Sequence, residues 1–164
     1  MNKQEILEEI NKTKEHLANM EKMLGECEYE RWKPQKGEIY WYVDGGCCIH
    51  NPIFTNDDFD NSKTGAYNCF QSKEQAEAEA EKILVRRMLE DIARRLNKGQ
   101  KIDWNSEYQL KYYIYLNSST NKIEFYHHCY QMVQGVVYCL DESFRDVAIQ
   151  EIEEERLKKY LRGE

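Results

Sequence analysis

The chain has 164 residues, room for one domain of ordinary size plus an appendage. Hydrophobic residues make up 41% and charged residues 32%, slightly polar for a globular protein but not a disordered composition. The formal net charge of −7 argues against broad, sequence-independent binding to DNA or RNA, because that affinity comes from Lys and Arg on phosphates. It suits a soluble domain, or an acidic surface that meets a basic partner.

The opening MNKQEILEEINKTKEHL is charged throughout and lacks the apolar stretch of a signal peptide. No apolar run approaches the ~18 residues that span a bilayer. A cytoplasmic, non-membrane protein is the expectation, with its six cysteines as reduced thiols.

Residues 3–25 read as an amphipathic helix. Ile10, Leu17 and Leu24 take heptad position a, and Ile6, Thr13 and Met20 take d. Three heptads are marginal for a free-standing helix or coiled coil, so the stripe must be buried on its own domain or on a second copy. Gly25 is expected to end the helix at C′. The expected organisation is an N-terminal helical or oligomerisation segment over 1–27 and an α+β domain over 28–164.

A link over 26–37 leads to EIYWYVD (38–44), rich in β-branched and aromatic residues. Alternation sends Ile39, Trp41 and Val43 to one face and Tyr40 and Tyr42 to the other. Asp44-Gly45-Gly46 is a hairpin turn signal, with CCIHNPIF (47–54) as return strand and Pro52 weakening its second half. Residues 55–66 read as a loop and 67–70 as a short strand. A second helix starts at Ser72, with Gln75 completing a capping box. Its stripe is Ala76, Ala80, Ile83, Leu84, Met88, Ile92 and Leu96, and Asn97-Lys98-Gly99 ends it.

The second β block begins with YQLKYYIYL (108–116). There Leu110, Tyr112, Ile114 and Leu116 alternate against Lys111, Tyr113 and Tyr115. A turn at 117–121, a strand at 122–130 and a third strand near 133–139 follow. One last helix is expected from about Asp141 to Leu161, acidic early and basic late as the macrodipole favours. Both halves repeat a plan of strands followed by a helix, so the expected fold is α+β, with antiparallel strands backed by two helices.

Four stretches carry a resemblance: RWKPQKGEIYWYV (31–43), the Gly65…Asn68-x-Phe70-x-Ser72-x-Glu74-x-Ala76 stretch, QLKYYIYL (109–116) and EEERLKKYLRG (153–163). Together they resemble a family of small proteins encoded in phages and prophages of Gram-positive bacteria. Its pattern is a W-x-P-x-x-G-E-x-Y-x-Y strand, an F-x-T-x-E-E-A helix and a terminal E-E-R-L-K-K-Y helix. Ser72 and Gln75 stand where that pattern has Thr and Glu, and both keep the capping chemistry. Several small phage proteins of this size class inhibit host defence, anti-CRISPR proteins among them. The resemblance therefore implies an anti-defence role.

The residues themselves carry little catalytic chemistry. His127-His128-Cys129 and Cys47-Cys48-x-His50 hold zinc-type donors, but no C-x-x-C pair exists, and strand alternation brings His127 toward Cys129 while turning His128 away. Asp57, Asp58 and Asp60, with Asn56 and Asn61, lack calcium-loop spacing and read as a solvated loop. No nucleophile motif or phosphate loop is present. No cofactor or metal is expected, and no enzyme activity.

Arg86, Arg87, Arg94 and Arg95 share one side of the second helix and suit a phosphate backbone. The same residues make i,i+4 pairs with Glu90 and Asp91, which a solvated salt-bridge ladder would explain. Twelve tyrosines and three tryptophans are many for this length. If helices cover the apolar strand faces, Tyr40, Tyr42, Tyr113 and Tyr115 face outward, where tyrosines serve recognition. The competing reading is cross-strand packing on a sheet covered on both faces. The candidate recognition residues are thus Trp32, Tyr40, Tyr42, Trp104, Tyr113 and Tyr115, with the four arginines. The expected function is inhibition of a host defence protein by direct contact. The alternative is binding of a nucleotide or single-stranded nucleic acid, by stacking on the aromatics and arginine contacts to phosphate.

Overall fold

The computed structural model describes residues 3–27 and 31–164. The chain divides into two compact units, 1–33 and 34–164. In the first, helix α1 spans Lys3–Cys27. It continues past Gly25, so the expected stop there is corrected; the burial of Leu24 lies outside the described side chains. Ile6, Ile10, Leu17 and Met20 are exposed, at 42–52%.

The second unit is an α+β fold. In chain order it contains β1 (Tyr42–Val43), β2 (Ile49–His50), α2 (Asp58–Gly65), α3 (Lys73–Leu96), β3 (Lys111–Asn117), β4 (Lys122–His128), α4 (Phe144–Ile152) and α5 (Glu154–Arg162). Both described sheets are two-stranded and antiparallel.

The first hairpin forms at the Asp44-Gly45-Gly46 signal, but its connection runs from 44 to 48. Tyr42 pairs with His50 and Val43 with Ile49. The Asp44 carboxylate holds the loop by accepting from the amides of Gly46 and Cys48 (both 2.8 Å). Cys47 takes the left-handed conformation at φ 64°. Single bridges extend the sheet at Ile39–Ile53 and Trp41–Phe70, the last being all that forms of the expected strand at 67–70.

Residues expected to be a loop instead include helix α2. Asp57 caps it, its side chain accepting from the Asp60 amide at 2.9 Å. This helix changes the burial of the first sheet. Tyr40, expected to face outward, is fully buried beneath it, while Ile39 is 56% exposed. Both faces are covered, α3 packing over Val43, Trp41 and Ile49 through Ala76 and Ala80.

Helix α3 starts where expected, with Ser72 accepting from the Gln75 amide at 3.3 Å. Its buried stripe is Ala76, Ala80, Val85, Leu89, Ile92 and Ala93. Leu84, expected in the stripe, is exposed. The stripe changes phase because the helix serves two hydrophobic clusters in succession.

The larger cluster joins Val85, Leu89, Ile92, Ile114, Ile123, Phe144, Ala148, Ile152 and Leu157. Each fully buried aliphatic side chain there contributes about 1.5–3 kcal/mol. One face of the β3–β4 hairpin, through Ile114, Leu116 and Ile123, supplies its floor. The third strand expected near 133–139 reduces to one bridge, Tyr112–Cys139.

The single C-terminal helix expected over 141–161 is two helices. Glu153, at φ 74° and ψ 135°, breaks it. The break has a packing reason. Phe144, Ala148 and Ile152 follow one helical face, and an unbroken helix would next present Arg156 and turn Leu157 away. Rephasing at Glu153 buries Leu157 as well as Ile152. Arg156 instead makes a two-pronged ion pair with Glu81 on α3. Gly163 closes α5 in the left-handed conformation, at φ 81°.

Candidate functional site

The four tyrosines expected on outward strand faces divide between the two sheets. Tyr40 is a core residue, its hydroxyl donating to Asp60 at 2.8 Å; it is removed from the recognition surface. Tyr42 is half-buried, stacked on His50 with centroids 4.9 Å apart and edge-on to Phe59 at 5.5 Å. The Lys63 ammonium lies 4.6 Å from its ring centre. On this sheet, packing wins over recognition because α2 supplies a second cover.

The second hairpin differs. Its face opposite the core carries Tyr113, Tyr115, Glu124, Tyr126 and His128. Tyr113 is the hub. Its ring stacks on His128 at 5.7 Å and meets Tyr126 at 6.3 Å and Tyr138 at 5.5 Å. Tyr138 in turn takes Trp104 edge-on at 4.9 Å. Tyr115 donates to Glu124 at 2.7 Å, which holds that carboxyl below its ordinary value. Tyr113, Tyr115 and Trp104 are half-buried, so the structure does bring these three predicted residues to one region.

At the open end of this hairpin the aromatic surface becomes exposed. Leu110, Tyr126, His127, His128, Cys129 and Tyr130 line one surface depression. Tyr126 is 51% and Tyr130 72% exposed. Tyr108, Met132 and Val133, also exposed, belong to the same chain segments. Tyr is enriched at the cores of protein interfaces, so exposed tyrosines lining one depression suit an interaction site. Tyr108, Tyr126 and Tyr130 lie outside the recognition set that the sequence pattern predicts. KIEFYHHCY reads as a strand with metal-type donors, and alternation alone does not say which end of a hairpin lacks a cover.

Lys111 explains how this end is shaped. Alternation places its side chain outward, yet the residue is fully buried. Its ammonium donates to the carbonyls of Ser106 (3.0 Å) and Cys129 and lies 5.5 Å from the Trp104 ring centre. One charged group thereby ties the loop before β3 to the segment after β4. Leu110, expected in the core, is displaced to the surface at 38% exposure.

The arginine set is engaged elsewhere. Arg86 pairs with Glu90 (3.0 Å), Arg94 and Arg95 share Asp91 (2.8 and 3.0 Å), and Arg95 also reaches Glu151 (2.5 Å). Arg87 donates to the Gly45 carbonyl (2.9 Å) and the Cys47 sulfur (3.3 Å), fastening α3 to the first hairpin loop. Trp32, in the first unit, is half-buried. Among the described residues no three His, Cys, Asp or Glu side chains gather as metal ligands. No described helix is long and apolar enough to cross a membrane.

Comparison of the chain with protein-family models, with curated proteins and with solved structures finds no match.

Proposed function

We propose that this chain is a non-enzymatic accessory protein of phage or prophage origin. It binds a host defence protein and inhibits it in the manner of an anti-CRISPR protein, using the aromatic end of the β3–β4 hairpin. The observation that carries this reading is the depression lined by Leu110, Tyr126, His127, His128 and Tyr130, with its tyrosines exposed beside the Tyr113–His128 stack. Rigid tyrosines offer contact area and a polar tip at small entropic cost. The net charge of −7 favours a basic partner surface, such as one that normally receives nucleic acid. The resemblance of 31–43, 65–76, 109–116 and 153–163 to phage and prophage proteins supplies the biological setting. A nucleotide-binding role draws less support, since Arg86, Arg94 and Arg95 are ion-paired and Arg87 is held by the first hairpin.

The test is a cleavage or interference assay against a panel of purified defence effectors, CRISPR nucleases first. Inhibition by the wild-type chain, lost in a Tyr126→Ala/Tyr130→Ala double variant that keeps its thermal stability, supports the reading. No inhibition and no binding across the panel sinks it.

A further inference from the structure

The exposed stripe of α1 has a register that specifies its partner. Ile6, Ile10, Leu17 and Met20 are 42–52% exposed on a 25-residue helix. Large apolar side chains repeating at a and d are the pattern of a coiled-coil seam. Glu9 and His16 flank the stripe at position g and Lys14 at e, all three exposed. At these three described positions the stripe is bordered by polar side chains, as a coiled-coil seam is.

Between Ile6 and Met20 the polar residue in the seam is Thr13. Its hydroxyl donates to the Glu9 carbonyl one turn back, at 2.8 Å. A hydroxyl already satisfied within its own helix enters an apolar seam without leaving a donor unpaired.

The charges choose the direction. In a parallel pair, position g of one helix faces the following e′ of the other, which sets Glu9 against Lys14′ and Lys14 against Glu9′. In an antiparallel pair, e meets e′ and g meets g′, and both Glu9–Lys14′ contacts vanish. We infer that α1 pairs with α1 of a second copy of this chain as a parallel, in-register, two-stranded coiled coil, with Thr13 and Thr13′ forming a polar layer within it. The inference stands apart from the proposed inhibitory role. The coiled coil presents two aromatic surfaces per particle, and a bivalent particle gains avidity for a multivalent target without any new contact.

The experiment is sedimentation of the full chain across micromolar concentrations, with non-reducing electrophoresis after mild oxidation. The expected mass is twice the 19.7 kDa of one chain. Leu17→Asp, a change at an exposed site of α1, is expected to give monomers with the thermal transition of the second unit unchanged. Thr13→Leu, which replaces the polar layer by an apolar one with the residue that suits a d position of a two-stranded seam, is expected to tighten association by about tenfold or more. Ile10 is a described seam residue at position a. A parallel, in-register pair sets Ile10 against Ile10′, so oxidation is expected to cross-link Ile10→Cys well beyond the wild type. A monomer at all concentrations, a Leu17→Asp dimer or a higher oligomer overturns the proposal. So does a dimer whose cross-linking Ile10→Cys does not increase, which would show that the helices are not parallel and in register.

Discussion

The hydroxyl of Tyr40 donates to the carboxylate of Asp60 across 2.8 Å, with both residues buried. The contact joins the strand entering the first hairpin to helix α2, twenty residues later. Asp60 also accepts from the Thr55 amide (2.6 Å), the Thr55 hydroxyl (3.0 Å) and the Asn56 amide (2.9 Å). A buried carboxylate is tolerated here because every side of it is met by a donor. Tyr40→Phe removes one donor and keeps the ring. The variant is expected to lose about 1–3 kcal/mol in denaturant unfolding. An unchanged midpoint would mean that the hydrogen bond adds nothing beyond the ring's packing.

The same carboxylate makes stability depend on acid. Burial pushes the Asp60 carboxyl upward, but the donors from Tyr40, Thr55 and Asn56 outweigh it and leave it below its ordinary value. A carboxyl depressed by folding contributes stability that is present above its unfolded pKa, near 3.9, and is lost as pH falls through the folded value. The melting temperature of the wild type should therefore fall as pH drops below about 4. Asp60→Asn is expected to be less stable at neutral pH and to show a flatter acid limb in the same melting series. Parallel acid limbs would assign the effect to other carboxylates.

Lys111 predicts a local rather than a global failure. Its ammonium serves two carbonyls, of Ser106 and Cys129, in a site that excludes water. Lys111→Met keeps the stem but leaves both carbonyls unmet. The expected cost is about 1.5–3 kcal/mol. Amide hydrogen exchange should rise first around 104–109 and 129–133, while the α3 core stays protected. Unchanged exchange in those segments would show that Lys111 does not tie the two segments together.

Glu153 is expected to be improvable. At φ 74° and ψ 135° it occupies a region that favours glycine. Its side chain contributes no cap hydrogen bond. Glu153→Gly should therefore raise stability by about 1 kcal/mol, read as a higher melting temperature. A loss of stability would show that the lower backbone entropy of the unfolded Glu153 chain outweighs the relief.

The local devices of this protein are written in short stretches of chain. Ser72 and Gln75 start α3, Asn97 follows its end, Asp44-Gly45-Gly46 turns the first hairpin, and 117–121 turns the second. Each depends on hydrogen bonds or dihedral preferences spanning a few residues, so the sequence by itself determined the α+β class and most element positions. Burial followed another logic, because it depends on what lies opposite. Tyr40 became core because α2 covers it; Asp57 as its cap was the available signal, hidden among acids that read as a solvated loop. Lys111 was buried by two loops distant in sequence, and Leu110 was displaced to the surface. Tyr113 and Tyr115 kept the face that alternation assigns them. Only the tertiary structure decided that Tyr126 and Tyr130 form the open surface, since a strand's period of two names its faces but not which end lacks a neighbour.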